Sequence, residues 1–134
     1  MSIEAVSDRI RQDYGRFPHD QSYDLYAPDV YFQDPLNRFR GVARYQAMIA
    51  FMQRWFLEPT LELQSLELLT PKSFRTHWTL RWIAPLPWQP RMAIAGWTDY
   101  KLDDRDRIVA HIDYWHCSRW DVFKQLWQRS SRPG

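Results

Sequence analysis

Hydrophobic residues follow two different periods along this chain, and the change of period separates a helical first part from a strand-rich second part. Over residues 3–17 they recur every three or four positions, which predicts an amphipathic helix ended by Pro18. The same spacing over residues 42–56 predicts a second long helix, ended by Pro59. Both helices therefore have one apolar face to bury.

The segment between these helices contains the first strand. Asp20 can cap a short helix that carries Tyr23 and Tyr26. Pro28 would prevent that helix from continuing. Alternation over residues 30–33 then predicts a strand that leads into a corner at Asp34-Pro35.

Beyond the second helix the hydrophobic period becomes two. Four long strands are predicted at residues 61–69, 73–84, 91–102 and 108–117. Helices followed by antiparallel strands predict an α+β fold in which a curved, mostly antiparallel sheet wraps the N-terminal helices around a conical interior. Ser118 with Asp121 can cap a short last helix. We expect one domain over residues 1–129 and a frayed tail at residues 130–134.

Composition narrows the possible functions. With 8 Trp, 7 Tyr and 7 Phe the chain has unusual aromatic contact area, whereas its net charge of +2 is too small to indicate a nucleic-acid binder. The one cysteine, Cys117, is expected to be a small buried hydrophobe and fits a reducing compartment. No signal peptide or membrane span is visible, so we expect a soluble, cytoplasmic protein. No residue spacing indicates a metal site or a nucleotide cofactor.

The segment LYAPDVYFQDPLNRFRG, residues 25–41, resembles the corresponding segment of the nuclear transport factor 2-like superfamily. That superfamily includes ketosteroid isomerases, limonene epoxide hydrolases and polyketide cyclases, and the order of its elements is similar over residues 3–117. The strings WTLRW, PLPW and HIDYWHCSR are most similar to an uncharacterised branch from cyanobacteria and plastids. The resemblance implies a cone-shaped α+β roll with a central cavity.

The resemblance also suggests site residues. Asp34 matches the position of the carboxylate base of the isomerases, and Asp113 is similar to the aspartate that activates water in the epoxide hydrolases. The arginine and aspartate that assist in the hydrolases fall on His77 and Thr79 here, which is a departure. The acidic oxyanion donor of the isomerases falls near Thr98, a neutral residue that can still donate a hydrogen bond.

Asp34 has two interpretations from the sequence. Because it precedes Pro35, its backbone is extended and its side chain can bond its own turn. Alternatively, it is a general base or ligand anchor at the edge of the cavity, where an apolar environment would raise its pKa.

His111 and Asp113 lie two residues apart on a strand and therefore share a face, where a carboxylate can orient an imidazole for acid-base chemistry. A four-residue hairpin loop would pair Thr98 with His111, and Thr98, His111 and Asp113 would then face the interior. A five-residue loop would pair Asp99 with His111, and His111 and Asp113 would then face outward, to a polar surface or a dimer contact. The resemblance favours the inward register.

The strand at residues 73–84 also presents two alternatives, because its aromatic and arginine residues alternate. Either the aromatic side is core and the arginine side is wet, or the arginines line an anion-binding cavity and the tryptophans form a subunit contact. The candidate ligand-binding residues are Tyr14, His77, Thr79, Arg81, Thr98 and Trp115.

Two functional hypotheses follow. The first is a small binding module, expected to be a homodimer, that takes a hydrophobic small molecule into its cavity or a protein partner on its aromatic sheet face. The second is an isomerase, cyclase or hydrolase without cofactor, in which Asp34 or the His111 and Asp113 pair handles protons.

Overall fold

The computed structural model describes residues 1–128, and the predicted tail at residues 130–134 lies outside them. The helices are α1 (Ile3–Arg16), α2 (Val42–Trp55) and α3 (Arg119–Gln125), with a 3-10 turn at Tyr23–Leu25. The strands are β1 (Tyr26–Gln33), β2 (Arg38–Arg40), β3 (Leu57–Thr70), β4 (Ser73–Ile83), β5 (Arg91–Leu102) and β6 (Ile108–Trp115). No helix within residues 1–128 is long and apolar enough to cross a membrane.

All six strands join in one sheet with the order β2-β1-β6-β5-β4-β3. β1 and β6 are parallel, and the other neighbouring pairs are antiparallel. α1 packs on β3, and α2 packs on β1 and β3, so the sheet wraps the first two helices. The predicted α+β class is confirmed.

Local chemistry explains where the helices begin. Ser2 caps α1 by accepting a hydrogen bond from the amide of Ala5 at 3.1 Å. Gly41 precedes α2 with a φ of 112°, a conformation that glycine adopts without steric cost. Ser118 and Asp121 form the predicted reciprocal capping box of α3.

The two faces of β4 settle one of the alternatives left by the sequence. Its inward side chains are buried against α1 and α2: Phe74, Thr76, Trp78, Leu80 and Trp82. On the opposite side, which we call the outer face, Arg75 and Arg81 pair with Asp99 and Glu62. The aromatic side is therefore core and the arginine side is wet.

Two predicted helix ends are wrong because proline has a different role at each. Pro59 lies inside β3, where the pairing register shifts between Leu57 and Thr60, and α2 ends earlier, at Trp55. Pro28 lies inside β1, where pairing with β6 is interrupted. β3 is an edge strand, and irregular or edge positions tolerate the missing N–H of proline.

The short helix predicted after Asp20 is also different. Asp20 has a positive φ of 51°, and Ser22 rather than Asp20 precedes a single 3-10 turn. Tyr26 already belongs to β1. The chain thus enters the sheet earlier than the helical spacing of its tyrosines predicted.

The hairpin between β5 and β6 combines features of both predicted registers. The loop has five residues, since Leu102 pairs with Ile108, but Lys101 pairs with Ala110 and leaves Val109 as an extra residue. That bulge shifts the register by one, so Thr98 pairs with Asp113. The predicted pairing of Thr98 with His111 is wrong, whereas the inward direction of the set is correct.

Candidate functional site

A cavity of about 80 Å³ lies between α1, α2 and the inward side of the sheet; we call it the inner cavity. Its polar wall includes Asp13, Tyr14, Tyr26, Tyr45, Thr98, Tyr100, His111 and Asp113. Its apolar wall includes Ile10, Met48, Ile49, Met52, Leu61 and Trp78. At roughly 30 Å³ per water molecule, the space suits two or three waters or a very small molecule.

A continuous chain of hydrogen bonds crosses the polar wall. His111 is at its centre, with Nδ1 at 3.1 Å from the hydroxyl of Tyr26 and Nε2 at 3.0 Å from Oδ1 of Asp113. Thr98 donates to the same carboxylate oxygen at 2.5 Å and accepts from the indole N–H of Trp78 at 2.8 Å. With Asp113 ionised, His111 carries its proton on Nε2 and Nδ1 accepts from Tyr26.

Aromatic rings enclose the imidazole of His111, whose side chain is 6% exposed. The ring centroids lie at 4.8 Å for Tyr100, 5.0 Å for Phe32, 5.2 Å for Tyr45 and 6.0 Å for Tyr26. These rings and the Asp113 carboxylate together hold the imidazole in one orientation. The carboxylate of Asp113 can accept a proton from a molecule in the inner cavity while the Nε2–H of His111 holds that carboxylate in place.

A second set of hydroxyls lies beside this chain. The Tyr14 hydroxyl is 2.7 Å from that of Thr76 and 3.1 Å from that of Tyr100. Burial raises the pKa of Tyr14 from its ordinary 10.0 to about 12, because the phenolate would lose its hydration. Burial likewise holds the pKa values of Tyr26, Tyr45 and Tyr100 well above their ordinary range, so these phenols stay neutral.

The other carboxylate of the wall, Asp13, is fully engaged. It accepts hydrogen bonds from Arg16 at 2.6 Å and from both the amide and the hydroxyl of Ser22 at 2.8 and 2.9 Å. Those contacts hold the end of α1 against the turn that leads into β1. Asp113 is therefore the carboxylate that remains available for chemistry.

Asp34 does not line the inner cavity. Its Oδ1 accepts hydrogen bonds from the amides of Leu36 and Asn37 at 2.7 and 2.6 Å, so it caps its own turn. Burial raises the pKa of Asp34, and the hydrogen bonds from Asn37 and Leu36 oppose that increase. Of the two interpretations left by the sequence, the structure shows the turn cap, and the alternative position at the cavity edge is wrong because the turn holds the side chain.

The candidate ligand residues separate into three groups. Tyr14 and Thr98 line the inner cavity as expected. His77, Thr79 and Arg81 point to the outer face, where they contact Glu67, Gln64 and Glu62 of β3, so their assignment to the cavity is wrong. Trp115 points inward but lines a different space.

That second space, which we call the apolar pocket, has a volume of about 520 Å³. It is formed by the end of α2, the ends of β4, β5 and β6, and α3, and it shares no lining residue with the inner cavity. Its wall consists of Leu36, Phe51, Trp55, Phe56, Trp82, Ala84, Pro85, Met92, Trp115, Arg119, Val122, Phe123 and Leu126. Arg119 is the one charged residue that residues 1–128 contribute to this wall.

The sequence did not indicate the roles of several residues in the two cavities. Tyr100 and Trp78 follow an alternation that predicts core, and nothing in that pattern indicates that Trp78 donates to Thr98. The role of α3 in the apolar pocket was also missed, although the helix itself was predicted from its cap. Within residues 1–128, no three His, Cys, Asp or Glu side chains converge as a metal site would require.

Comparison with known families and structures gives the fold a context. The sequence profile described as "Uncharacterized conserved protein (DUF2358)" matches residues 4–111. No curated protein matches the chain. A protein of unknown function from Burkholderia pseudomallei, described as NTF2-like, superposes with a TM-score of 0.72 at 15% identity, covering 91% of this chain and 97% of that one.

Two further structures have the same fold. An epoxide hydrolase from M. tuberculosis, described as LEH-like, gives a TM-score of 0.67 at 21% identity and covers 92% of this chain and 87% of its own. A hypothetical protein from Catenulispora acidiphila, with a ketosteroid isomerase-like fold, gives 0.64 at 14% identity and covers 77% of each chain. The predicted NTF2-like fold is confirmed, whereas the likeness to a cyanobacterial and plastid branch stays a prediction.

Proposed function

Given that this chain belongs to the DUF2358 family of uncharacterized conserved proteins and has the NTF2-like fold, we propose that its single domain is a binding module for a hydrophobic small molecule. The observation that carries this proposal is the apolar pocket. Its volume of about 520 Å³ falls within the range of small-molecule sites, roughly 300–1,000 Å³.

Exposure of the pocket mouth supports this function. Leu36, Phe51 and Phe123 line the pocket and keep 58%, 58% and 55% of their surface exposed. Side chains of this size are normally buried, and a bound apolar molecule would remove their surface from water. Burial of that surface is the driving force that we expect for binding.

A pocket-filling variant tests this proposal. Val122→Trp should occupy the pocket and weaken the binding of the neutral dye N-phenyl-1-naphthylamine at least about tenfold. Lys124→Trp adds the same ring at an exposed position of α3 outside the pocket wall and should leave binding unchanged. Absence of dye binding by the wild type, or equal binding by Val122→Trp, would contradict the proposal.

The inner cavity supports a second candidate, an isomerase, cyclase or hydrolase that acts without a cofactor. The specific observation is the hydrogen-bonded chain of Tyr26, His111, Asp113 and Thr98, which faces a space of about 80 Å³. Asp113 would accept the substrate proton, and His111 would orient the carboxylate by donating a hydrogen bond from Nε2. A screen of small enones and epoxides should then give turnover that Asp113→Asn removes. Equal rates for wild type and variant would exclude this reaction.

We also propose that the chain forms a homodimer through the outer face. Trp97 stacks on Tyr114 at 4.9 Å between ring centroids and contacts His116 at 4.8 Å, and Tyr114 is 39% exposed. Aromatic residues are enriched at such contacts. Light scattering should give a dimer for the wild type and a monomer for the Trp97→Ala and Tyr114→Ala double variant.

A cytoplasmic location completes the proposal. It is supported by the presence of a single cysteine, Cys117, whose thiol packs against the core. Burial raises the pKa of that thiol, which keeps it in the unreactive protonated form. Cell fractionation tests the location, and recovery in a membrane or secreted fraction would contradict it.

A further inference from the structure

Arg119 makes the wall of the apolar pocket chemically asymmetric. Within the part of the chain that the structure describes, the other lining residues are all apolar: Leu36, Phe51, Trp55, Phe56, Trp82, Ala84, Pro85, Met92, Trp115, Val122, Phe123 and Leu126. One guanidinium in such a wall is costly for a purely hydrocarbon ligand, because it must keep its water or find an anion.

Within residues 1–128 no carboxylate lies within 4.0 Å of the Arg119 guanidinium. Its one hydrogen bond there is a long contact of 3.5 Å from Nη1 to the carbonyl oxygen of Pro35. The nearby Asp121 is engaged with Ser118 in the capping box of α3. Most of the guanidinium's donors thus remain available to a ligand.

Other arginines of the chain contrast with this arrangement. Arg9, Arg75 and Arg81 each donate to a carboxylate at 2.6 to 2.8 Å. A guanidinium offers a planar pair of donors that matches a carboxylate. The charge of the pocket is therefore complementary to an apolar molecule that ends in an anionic oxygen group.

We propose that the apolar pocket binds a free anionic amphiphile, with its carboxylate on Arg119 and its hydrocarbon body among Trp55, Trp82 and Trp115. The inference rests on the proposed function and adds the chemical class of the ligand. The hydrocarbon body supplies the affinity through burial, and Arg119 supplies the preference for an anion over a neutral molecule of the same length.

Decanoate and decanol, which share their chain length and differ in charge, test the preference. Quenching of tryptophan fluorescence is a suitable measurement, since three tryptophans line the pocket. The wild type should bind decanoate about tenfold more tightly than decanol. Arg119→Gln should bind the two equally while its affinity for decanol stays unchanged, which also shows that the variant is folded.

Arg91→Gln is the matched control. Arg91 is exposed on β5 and lies outside the pocket wall, so its removal changes the net charge equally but should preserve the preference. Equal affinity of the wild type for both molecules, or a preference that survives in Arg119→Gln, would overturn this inference alone. Failure of the wild type to bind either molecule would overturn the proposed function as well.

Discussion

The inner cavity and the apolar pocket lie on the same side of one sheet, yet opposite kinds of side chain build them. In the inner cavity, buried polar groups satisfy one another, and His111, Asp113 and Thr98 each have named partners. In the apolar pocket, large side chains remain partly exposed around about 520 Å³ of space. The inner cavity has a complete hydrogen-bond network but a volume of only about 80 Å³, whereas the apolar pocket has a large volume and few polar contacts.

This contrast predicts how each region responds to change. A satisfied polar network is sensitive to any substitution that leaves a buried partner without a hydrogen bond. An open apolar pocket should tolerate substitution in stability while changing its affinity for ligands. Stability measurements should therefore detect damage to the inner cavity, and binding measurements should detect damage to the pocket.

The largest effect on stability is expected at Gly96, below the indole of Trp78. A Cβ at this position would collide with the carbonyl oxygen of Tyr114 and lie 3.0 Å from Cη2 of Trp78. Gly96→Ala should lower the free energy of unfolding by about 3 kcal/mol. Urea unfolding measures this, and Gly15→Ala is the control, because a Cβ there meets nothing within 4 Å. That control should gain about 0.5–1 kcal/mol in α1; a neutral Gly96→Ala would contradict the packing described.

The second-largest loss of stability is expected at high pH, where the buried phenol of Tyr14 would ionise. Tyr14 has a pKa of about 12 in the folded chain against an ordinary 10.0, so the folded state favours the protonated phenol. The stabilisation is complete below pH 10 and is lost as pH rises from 10 to 12. At about 1.36 kcal/mol per unit, the loss that Tyr14 alone contributes is about 3 kcal/mol. Unfolding measured across this pH range should show it.

The variant Tyr14→Phe isolates this contribution. It should cost about 1 kcal/mol near pH 8, where the hydrogen bonds to Thr76 and Tyr100 are lost, and should fall less steeply above pH 10. An unchanged slope in Tyr14→Phe would contradict a raised pKa for this phenol.

Loss of the Thr98 hydroxyl should lower the free energy of unfolding slightly less than the rise in pH does. Thr98→Val preserves the shape but removes the acceptor of Trp78 and a donor to Asp113, at a cost of about 2–3 kcal/mol. Thr79→Val on the outer face removes a contact with the exposed Gln64 and should cost less than about 0.5 kcal/mol. Equal costs in urea unfolding would contradict the proposed division between a closed inner network and a solvated outer face.

Hydrophobic alternation could predict which side of the sheet each residue faces, but not what it contacts there. In β4 the period of two separates Trp78 from His77 correctly. It carries no information on the hydrogen bond from Trp78 to Thr98, which depends on the pairing of two strands. The bulge at Val109 shows the reason, since one unpaired residue decides whether His111 faces inward.

The apolar pocket was less predictable than the inner cavity for a related reason. The capping box of Ser118 and Asp121 marks where α3 begins, and the spacing of apolar residues along α3 marks its apolar face. Neither feature states where a short helix docks. The pocket depends on where α3 lies relative to α2 and to the ends of three strands, and only tertiary packing determines that position.

The smallest effect is expected at Asp34, which caps its own turn and lies outside the wall of the inner cavity. Asp34→Asn keeps one acceptor oxygen for the amides of Leu36 and Asn37, so the free energy of unfolding should fall by less than about 0.5 kcal/mol. Asp34→Ala removes both contacts and should cost about 1 kcal/mol. Neither variant should alter dye binding, and neither should alter any turnover that Asp113→Asn removes. If Asp34→Asn abolished such turnover while the chain stayed stable, the carboxylate would be acting as a base, and its turn would have to open to let it reach a substrate.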